Sequence, residues 1–372
     1  MSTSRAAILV DGGKAEIGFP SCFDRAARVG SVSHLICTHN DADHANGLLG
    51  FLRSGLVANE VWLPGAWTDR LDDLLLRPTE FAAELVSNIE QLQEDLPSES
   101  PLEELAERYL DRYQPDTPAG EDATIESLGR SLERGGNLDT FGEAFWSQAP
   151  LWPPRTWPYF RYKWWQALRM EPARLTLFIE AISAADRIRN ISLEAFHHGS
   201  RIRWFQYGDK AMSGGAPGIL EPINSKELTA IRRRHSALFY LSLTVSNRQS
   251  LVFLSPATSG SPPVLFTADS NLSFSQKIPW AESMIVTAPH HGSEANAAAY
   301  ARFKSETKGK ITVNWVRSDG NFGTRPGKSY LSVPGIRFCT ICRGTGLPKQ
   351  DVRLAADSSA WVPQGTRPCA CH

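Results

Sequence analysis

The 372-residue chain lacks any apolar run near the roughly 18–20 residues that cross a bilayer, and its start, MSTSRAAILVDGG, has no long apolar centre of the secretory kind. Membrane insertion and export are therefore not expected, and the sequence reads as soluble and cytoplasmic. An excess of charge of one sign is missing too. Lys and Arg total 39 against 40 Asp and Glu, a formal net charge of −1, so any affinity for a polyanion has to be local rather than global. Cysteine is scarce over most of the length: Cys22 and Cys37 stand apart, and Cys339, Cys342, Cys369 and Cys371 crowd the end. Such clustering argues for metal over disulfides in a reducing compartment. No period repeats, although the tetrapeptide HHGS occurs at both 197–200 and 290–293.

What is present alternates. AAILVDGG reads as a strand ending on a Gly-Gly turn, CFDRAARVG as a helix, SHLICTH as a strand, ANGLLGFLRSG as a helix with a C-terminal glycine, and NEVWLPG as a third strand. This alternation predicts an α/β layered fold. From about residue 68 to 135, Leu, Glu and Arg at helical periods predict a helical insertion. The segment 141–165 carries five of the eleven tryptophans and reads as an aromatic joint between insertion and host. Strand texture returns at 236–256 with a turn near Asn247, then at PVLFTAD, SMIVTAPHHGS and KITVNWV.

The stretch CTHNDADH holds the densest chemistry. His39, Asp41, Asp43 and His44 occupy positions 1, 3, 5 and 6 of H-x-D-x-D-H just past a predicted strand. A solvated loop or a helix N-cap accounts for such residues singly; all four together suit a loop that curls to offer ligands to two adjacent ions. His34 and His235 read as surface or packed histidines, and Cys22 and Cys37 as buried thiols.

The motif resembles the H-x-[HD]-x-D-H signature of the metallo-β-lactamase fold, in the ComEC-like subgroup with aspartate at the second position. ILVDGG, SNRQSLVF, VLFTADS and VTAPHHGS follow in the order of that family. The resemblance implies an αββα sandwich whose halves are 1–67 and 176–335; it skips 68–175, read above as a helical and aromatic insertion, and says little about the Cys-rich tail, 336–372. It assigns His39 and Asp41 to one metal and Asp43 and His44 to the other, with Asp269 bridging and His290 or His291 as the distant ligand. His290 is preferred as the ligand; Asp43 and His291 are the expected catalytic residues. Asn247 stands where many relatives have another histidine, and Ala268-Asp269 replaces the usual Gly-Asp. A carboxylate-rich, thiolate-free donor set is harder than a His-rich zinc site, which favours Mn²⁺ without excluding Zn²⁺. Two such ions sharing a hydroxide are suited to displacement at phosphorus.

Within that range the subgroup points to a phosphodiesterase or nuclease acting on nucleic acid. Asn247, His198 and Arg317 are the expected substrate-binding residues, and Arg201, Arg203, Arg232–Arg234, Arg325 and Lys328 are further candidate phosphate contacts. A small-molecule ester, lactone or cyclic-nucleotide hydrolase is the enzymatic alternative. A partner-binding subunit of a multi-protein, antiphage-type system is the non-enzymatic one. In the tail, C-x2-C at 339–342 and C-x-C-H at 369–372 predict a structural zinc site.

Overall fold

The computed structural model describes residues 1, 6–94, 122–123, 125–134, 172–208, 212–232, 237, 243, 250–318, 325–342, 348–369 and 371. The expected substrate-binding residue Asn247, the aromatic block 141–165, His235, Arg233, Arg234 and most of the expected 236–249 hairpin lie outside these residues. The chain separates into two compact units, Met1–Trp204 with Leu228–Ser246, and Phe205–Glu227 with Asn247–His372.

The first unit begins as two right-ordered β-α-β steps. β1 (Ile8–Val10), α1 (Phe19–Ala27), β2 (Ser31–Ile36), α2 (Ala42–Arg53) and β3 (Val57–Pro64) follow in turn, and the three strands pair in parallel, with Leu9 opposite Leu35 and Leu35 opposite Val61. Parallel neighbours need helical crossovers, which the sequence supplies between each pair. The helices of the expected insertion, α3 (Leu71–Leu76), α4 (Pro78–Glu94) and α5 (Ile125–Arg134), belong to this unit. So does α6 (Pro172–His197), buried along most of its described length through Ala181, Ala185, Ile188 and Ile191. Leu74, Phe81, Leu128 and Ile188 share one apolar core with Leu35, Leu48 and Val61. A short antiparallel pair, β4 (Asp122–Ala123) with β8 (Ile231–Arg232), also falls here. β5 (Arg201–Tyr207) starts in this unit.

In the second unit the last residues of β5 pair antiparallel with β7 (Ser225–Glu227). Its main sheet runs β13 (Ile336–Cys339), β12 (Asn314–Arg317), β11 (Ile285–Thr287), β10 (Val264–Phe266), β9 (Phe253–Ser255), β6 (Glu221–Pro222). The first four are mutually parallel; β9 and β6 are antiparallel additions. α7 (Ala297–Thr307) and α8 (Lys328–Leu331) pack on this sheet through Tyr300, Phe303 and Tyr330, which meet Trp315 edge-on at ring-centroid distances of 5.1–6.2 Å. The tail closes with an antiparallel hairpin, β14 (Leu354–Asp357) and β15 (Ala360–Pro363). The molecule is thus α/β with mixed sheets, and among the described residues no helix is long and apolar enough to cross a membrane.

Candidate metal centre

In α/β sheets the carboxyl ends of parallel strands present loops where ligands are held. In the first unit Asp11 follows β1, and His39 and Asp41 follow β2. Asp41 stands at the N-cap position of α2, yet its side chain makes no capping hydrogen bond. Helix capping therefore does not explain the carboxylate. Asp43 lies in the first turn of α2, where the helix dipole favours a negative charge, and His44 follows it, 6% exposed; His39 is 7% exposed. The two imidazole rings sit 4.1 Å apart, centre to centre.

Asp11, unassigned from sequence, organises this pair. Its carboxylate takes 2.9 and 2.7 Å hydrogen bonds from the Thr38 amide and hydroxyl, and His44 Nδ1 lies 2.8 Å from its Oδ2. Thr38 Oγ1 also meets His39 Nδ1 at 2.9 Å. Holding each Nδ1 selects Nε2 as the nitrogen a metal would take, the carboxylate–histidine arrangement of metal sites. Asp11, His39 and His44 have ligand-type atoms all within 4.8 Å of one another, and His39 Nε2 is 3.7 Å from Asp41 Oδ2. Burial alone would raise the Asp11 carboxyl, but His44, its hydrogen bond, His39 and the Thr38 amide outweigh it and hold the pKa below the usual value.

The loop reaches α2 because two glycines meet. The Gly12 amide donates to His44 O at 2.7 Å and the Gly47 amide to Gly13 O at 2.8 Å. A Cβ on Gly47 would lie 1.9 Å from Gly12 O, and one on Gly12 2.3 Å from Leu48 N. The only signal in the sequence is VDGG itself. From α6, Arg187 steadies the same loop, donating to Asn46 Oδ1 at 2.9 Å and Asn40 O at 2.5 Å.

The second unit gathers its own set along the carboxyl ends of β10 to β13. Asp269, 2% exposed, follows Ala268, whose φ of +47° is the left-handed region glycine tolerates best. The Gly-Asp of the resembled family fits this backbone need, and Ala268 holds it under strain. His290 and His291 are also left-handed, at φ of +46° and +55°. Strained backbone of this kind concentrates at functional sites. His290 Nε2 lies 3.5 Å from Asp269 Oδ2, while Asn296 ties them by meeting His290 Nδ1 at 3.0 Å and donating to Asp269 O at 2.8 Å. His291 Nδ1 lies 3.0 Å from both Ser318 O and Ser318 Oγ. Burial, with Arg325 nearby, lowers the His290 pKa despite Asp269.

The remaining expected residues sit as follows. His198 lies just past α6, its Nδ1 3.5 Å from Ser200 Oγ; this first HHGS closes a helix, while the second forms a left-handed turn. Arg317 is fully buried, donating to Cys339 Sγ at 3.5 Å and Ile341 O at 3.2 Å. Arg203 donates to Glu60 at 2.9 Å and stacks over Trp62, so it serves an ion pair of the fold, whereas Arg201, 3.5 Å from the same carboxylate, is exposed. Cys37 is buried as expected, but Cys22 is exposed on α1, a correction that follows from its outward place on that helix.

The four tail thiols converge. Cys369 Sγ lies 2.8 Å from Cys371 Sγ and 3.2 Å from Cys342 Sγ, Cys342 and Cys371 are 3.7 Å apart, and Cys339, Cys369 and Cys371 form one group of metal-ligand type. Zn–S bonds of about 2.3 Å in a tetrahedron put sulfurs about 3.8 Å apart, so small outward shifts would admit an ion. The hydrogen bond from Cys369, then Arg317, lowers the Cys339 thiol to about 6, and Cys369, as donor, is raised.

Comparison with protein-family models, curated proteins and solved structures gives no match.

Proposed function

We propose that the protein is a metal-dependent hydrolase of the metallo-β-lactamase type, acting on phosphodiesters, with nucleic acid as the leading substrate. The observation that carries this reading is the Asp11-braced pair His39 and His44, buried beside an Asp41 carboxylate that does no capping work. Asp269 and His290, tied by Asn296, are the further ligands that the sequence resemblance assigns. The parallel strands β1 to β3 with their crossover helices, and β10 to β13 with α7 and α8, are each of the layered kind expected of one half of an αββα sandwich.

The donor set fits hard divalent ions, Mn²⁺ ahead of Zn²⁺, because it is rich in carboxylates and free of thiolates. Bound there, two such ions supply Lewis acidity and lower the pKa of water toward neutrality. The chain's own residues do the rest. Asp11 and Thr38 fix the imidazole tautomers, Arg187 holds the loop, Asp43 is assigned the orientation of an attacking water, and His291, braced by Ser318, is the proton-transfer candidate. The thiol cluster is assigned a structural Zn²⁺. Four thiolates around Zn²⁺ carry a net charge of about −2, and buried Arg317 offsets part of it.

The test is incubation of the purified protein and Mn²⁺ with single-stranded DNA, RNA, bis(p-nitrophenyl) phosphate and p-nitrophenyl acetate. Cleavage of a polymer or of the phosphodiester, lost on adding EDTA and in Asp43→Ala, is expected. Turnover of the carboxylic ester alone would move the protein to the small-molecule alternative. Inactivity with full metal loading would favour a binding role.

A further inference from the structure

Three consecutive residues at and just past the end of β12 join the second HHGS turn to the tail thiols. Val316 O accepts the Ala288 amide at 2.8 Å, and Ser318 meets His291 Nδ1 through its carbonyl and hydroxyl oxygens, both at 3.0 Å. Between them Arg317, paired with Cys339 in the sheet, takes the Thr340 amide on its carbonyl at 3.0 Å and donates its side chain to Cys339 Sγ and to Ile341 O, inside the C-x2-C loop. The same side chain packs against the turn: a Cβ on Gly292 would lie 3.0 Å from Arg317 Cδ and 3.3 Å from Tyr330 Cδ1. Tyr330 is fully buried, and its hydroxyl has no hydrogen-bond partner among the described residues. Burial, then the nearby Cys339, pushes that phenol up, so the hydroxyl stands within electrostatic reach of the thiols.

We propose that zinc held by the tail thiols fixes the His290–His291 turn and so strengthens metal binding at His290, with Arg317 and Tyr330 as the positioning residues. The proposal rests on the hydrolase and zinc assignments and gives that zinc a place in controlling the hydrolytic site. Zinc turns the thiols into thiolates, and a hydrogen bond to an ionised acceptor is roughly twice as strong as a neutral one. The Arg317 guanidinium and the Tyr330 hydroxyl are donors at hand, and both side chains rest against Gly292. The turn needs such support, since His290 and His291 hold left-handed φ of +46° and +55°, which persist only where the surroundings over-determine them. A staple confined to the tail accounts for converging thiols, but not for a buried guanidinium and an idle phenol set between them and the turn.

Hydrogen–deuterium exchange of the full chain reads the turn directly, because the Ala288, His290, His291 and Ser293 amides all donate to backbone carbonyls. In protein stripped with EDTA, an equimolar addition of Zn²⁺ should slow exchange over 288–293 by at least about tenfold and leave peptides of β1 to β3 unchanged. Cys342→Ser should stay fast and bind Mn²⁺ about tenfold more weakly. Tyr330→Phe keeps the ring packing, so the fold should survive, which a melting curve checks. It should weaken zinc binding about tenfold and speed exchange over the turn, whereas an idle hydroxyl would be lost without effect on either. Bound zinc with unchanged exchange over 288–293, or a silent Tyr330→Phe, overturns the proposal. If the wild type takes up no zinc, the zinc assignment itself fails and the proposal falls with it. If it takes up zinc but no Mn²⁺, the hydrolase reading fails, while the exchange data still decide whether zinc fixes the turn.

Discussion

Single residues decide this molecule most visibly where one carboxylate serves several partners. Asp11 binds Thr38 twice and His44 once, so Asp11→Asn keeps the shape but presents an N–H where His44 needs an acceptor. Removal of such a supporting carboxylate lowers metal affinity about 10–100-fold, and a Mn²⁺ titration by calorimetry should show a loss in that range. Glu60 is a second case. Burial raises its carboxyl, but the Trp62 indole N–H and Arg203 outweigh that and hold it below its ordinary value. A depressed folded pKa means that ionised Glu60 stabilises the native state above the unfolded carboxylate pKa of about 4.3, and that this contribution fades as pH falls through the lower folded value. Glu60→Gln should therefore lose about 1 kcal/mol at pH 7, allowing for partial exposure, and the gap to wild type should close in urea unfolding carried out toward pH 3. Neither role was legible in the sequence. VDGG reads as a turn, and the carboxylate in it gains meaning only when Gly12 meets Gly47. Likewise Arg317 looks like a phosphate contact until its side chain is found buried against Cys339.

At the level of elements, the order of strands and helices was legible wherever periodicity was clean. The three strands and two helices of residues 8–64 fall where alternation and the Gly55 stop predict them, and β10, β11 and β12 lie within the later apolar runs. The H-x-D-x-D-H motif begins just past β2, as its place predicts, but its last residues, Asp43 and His44, already belong to the first turn of α2. Contacts between distant backbones were not legible, because no local preference encodes them. The α2 glycines show the difference. Gly47→Ala forces a methyl to 1.9 Å from Gly12 O, backbone against backbone, so α2 must shift and carry His44 with it. A loss of about 3 kcal/mol or more in chemical denaturation is expected, with weakened metal binding. Gly55→Ala meets nothing within 4 Å and suffers only its φ of +78°, a loss of about 1 kcal/mol. Equal effects of the two would remove the claim that the glycine seam holds the site.

For the whole molecule, two units with separate apolar cores should unfold as separable transitions, because each buries its own set of large side chains. The thiol cluster belongs to the second unit, with Cys339 ending β13 of its main sheet. Truncation at residue 335 would remove that strand along with the thiols, so substitution is the cleaner probe. Cys342→Ser should release bound zinc, measured by plasma mass spectrometry, and lower only one of two calorimetric transitions. A shift of both, or none, would contradict a local structural role. The sequence announced the tail as a metal site because four thiols in 34 residues are rare. It did not announce the two units: the segment of α6 carries no reading of its own in the sequence, and only packing shows the helix in the same core as β2 and β3.

The central claim is that imidazoles and carboxylates of the H-x-D-x-D-H loop hold divalent ions for hydrolysis. Equilibrium dialysis against Mn²⁺, with zinc counted separately, tests it most directly. The account predicts about two manganese ions per chain, falling by at least one in His44→Ala while the zinc content stays fixed; no manganese bound by the wild type, or binding untouched by that substitution, would contradict it.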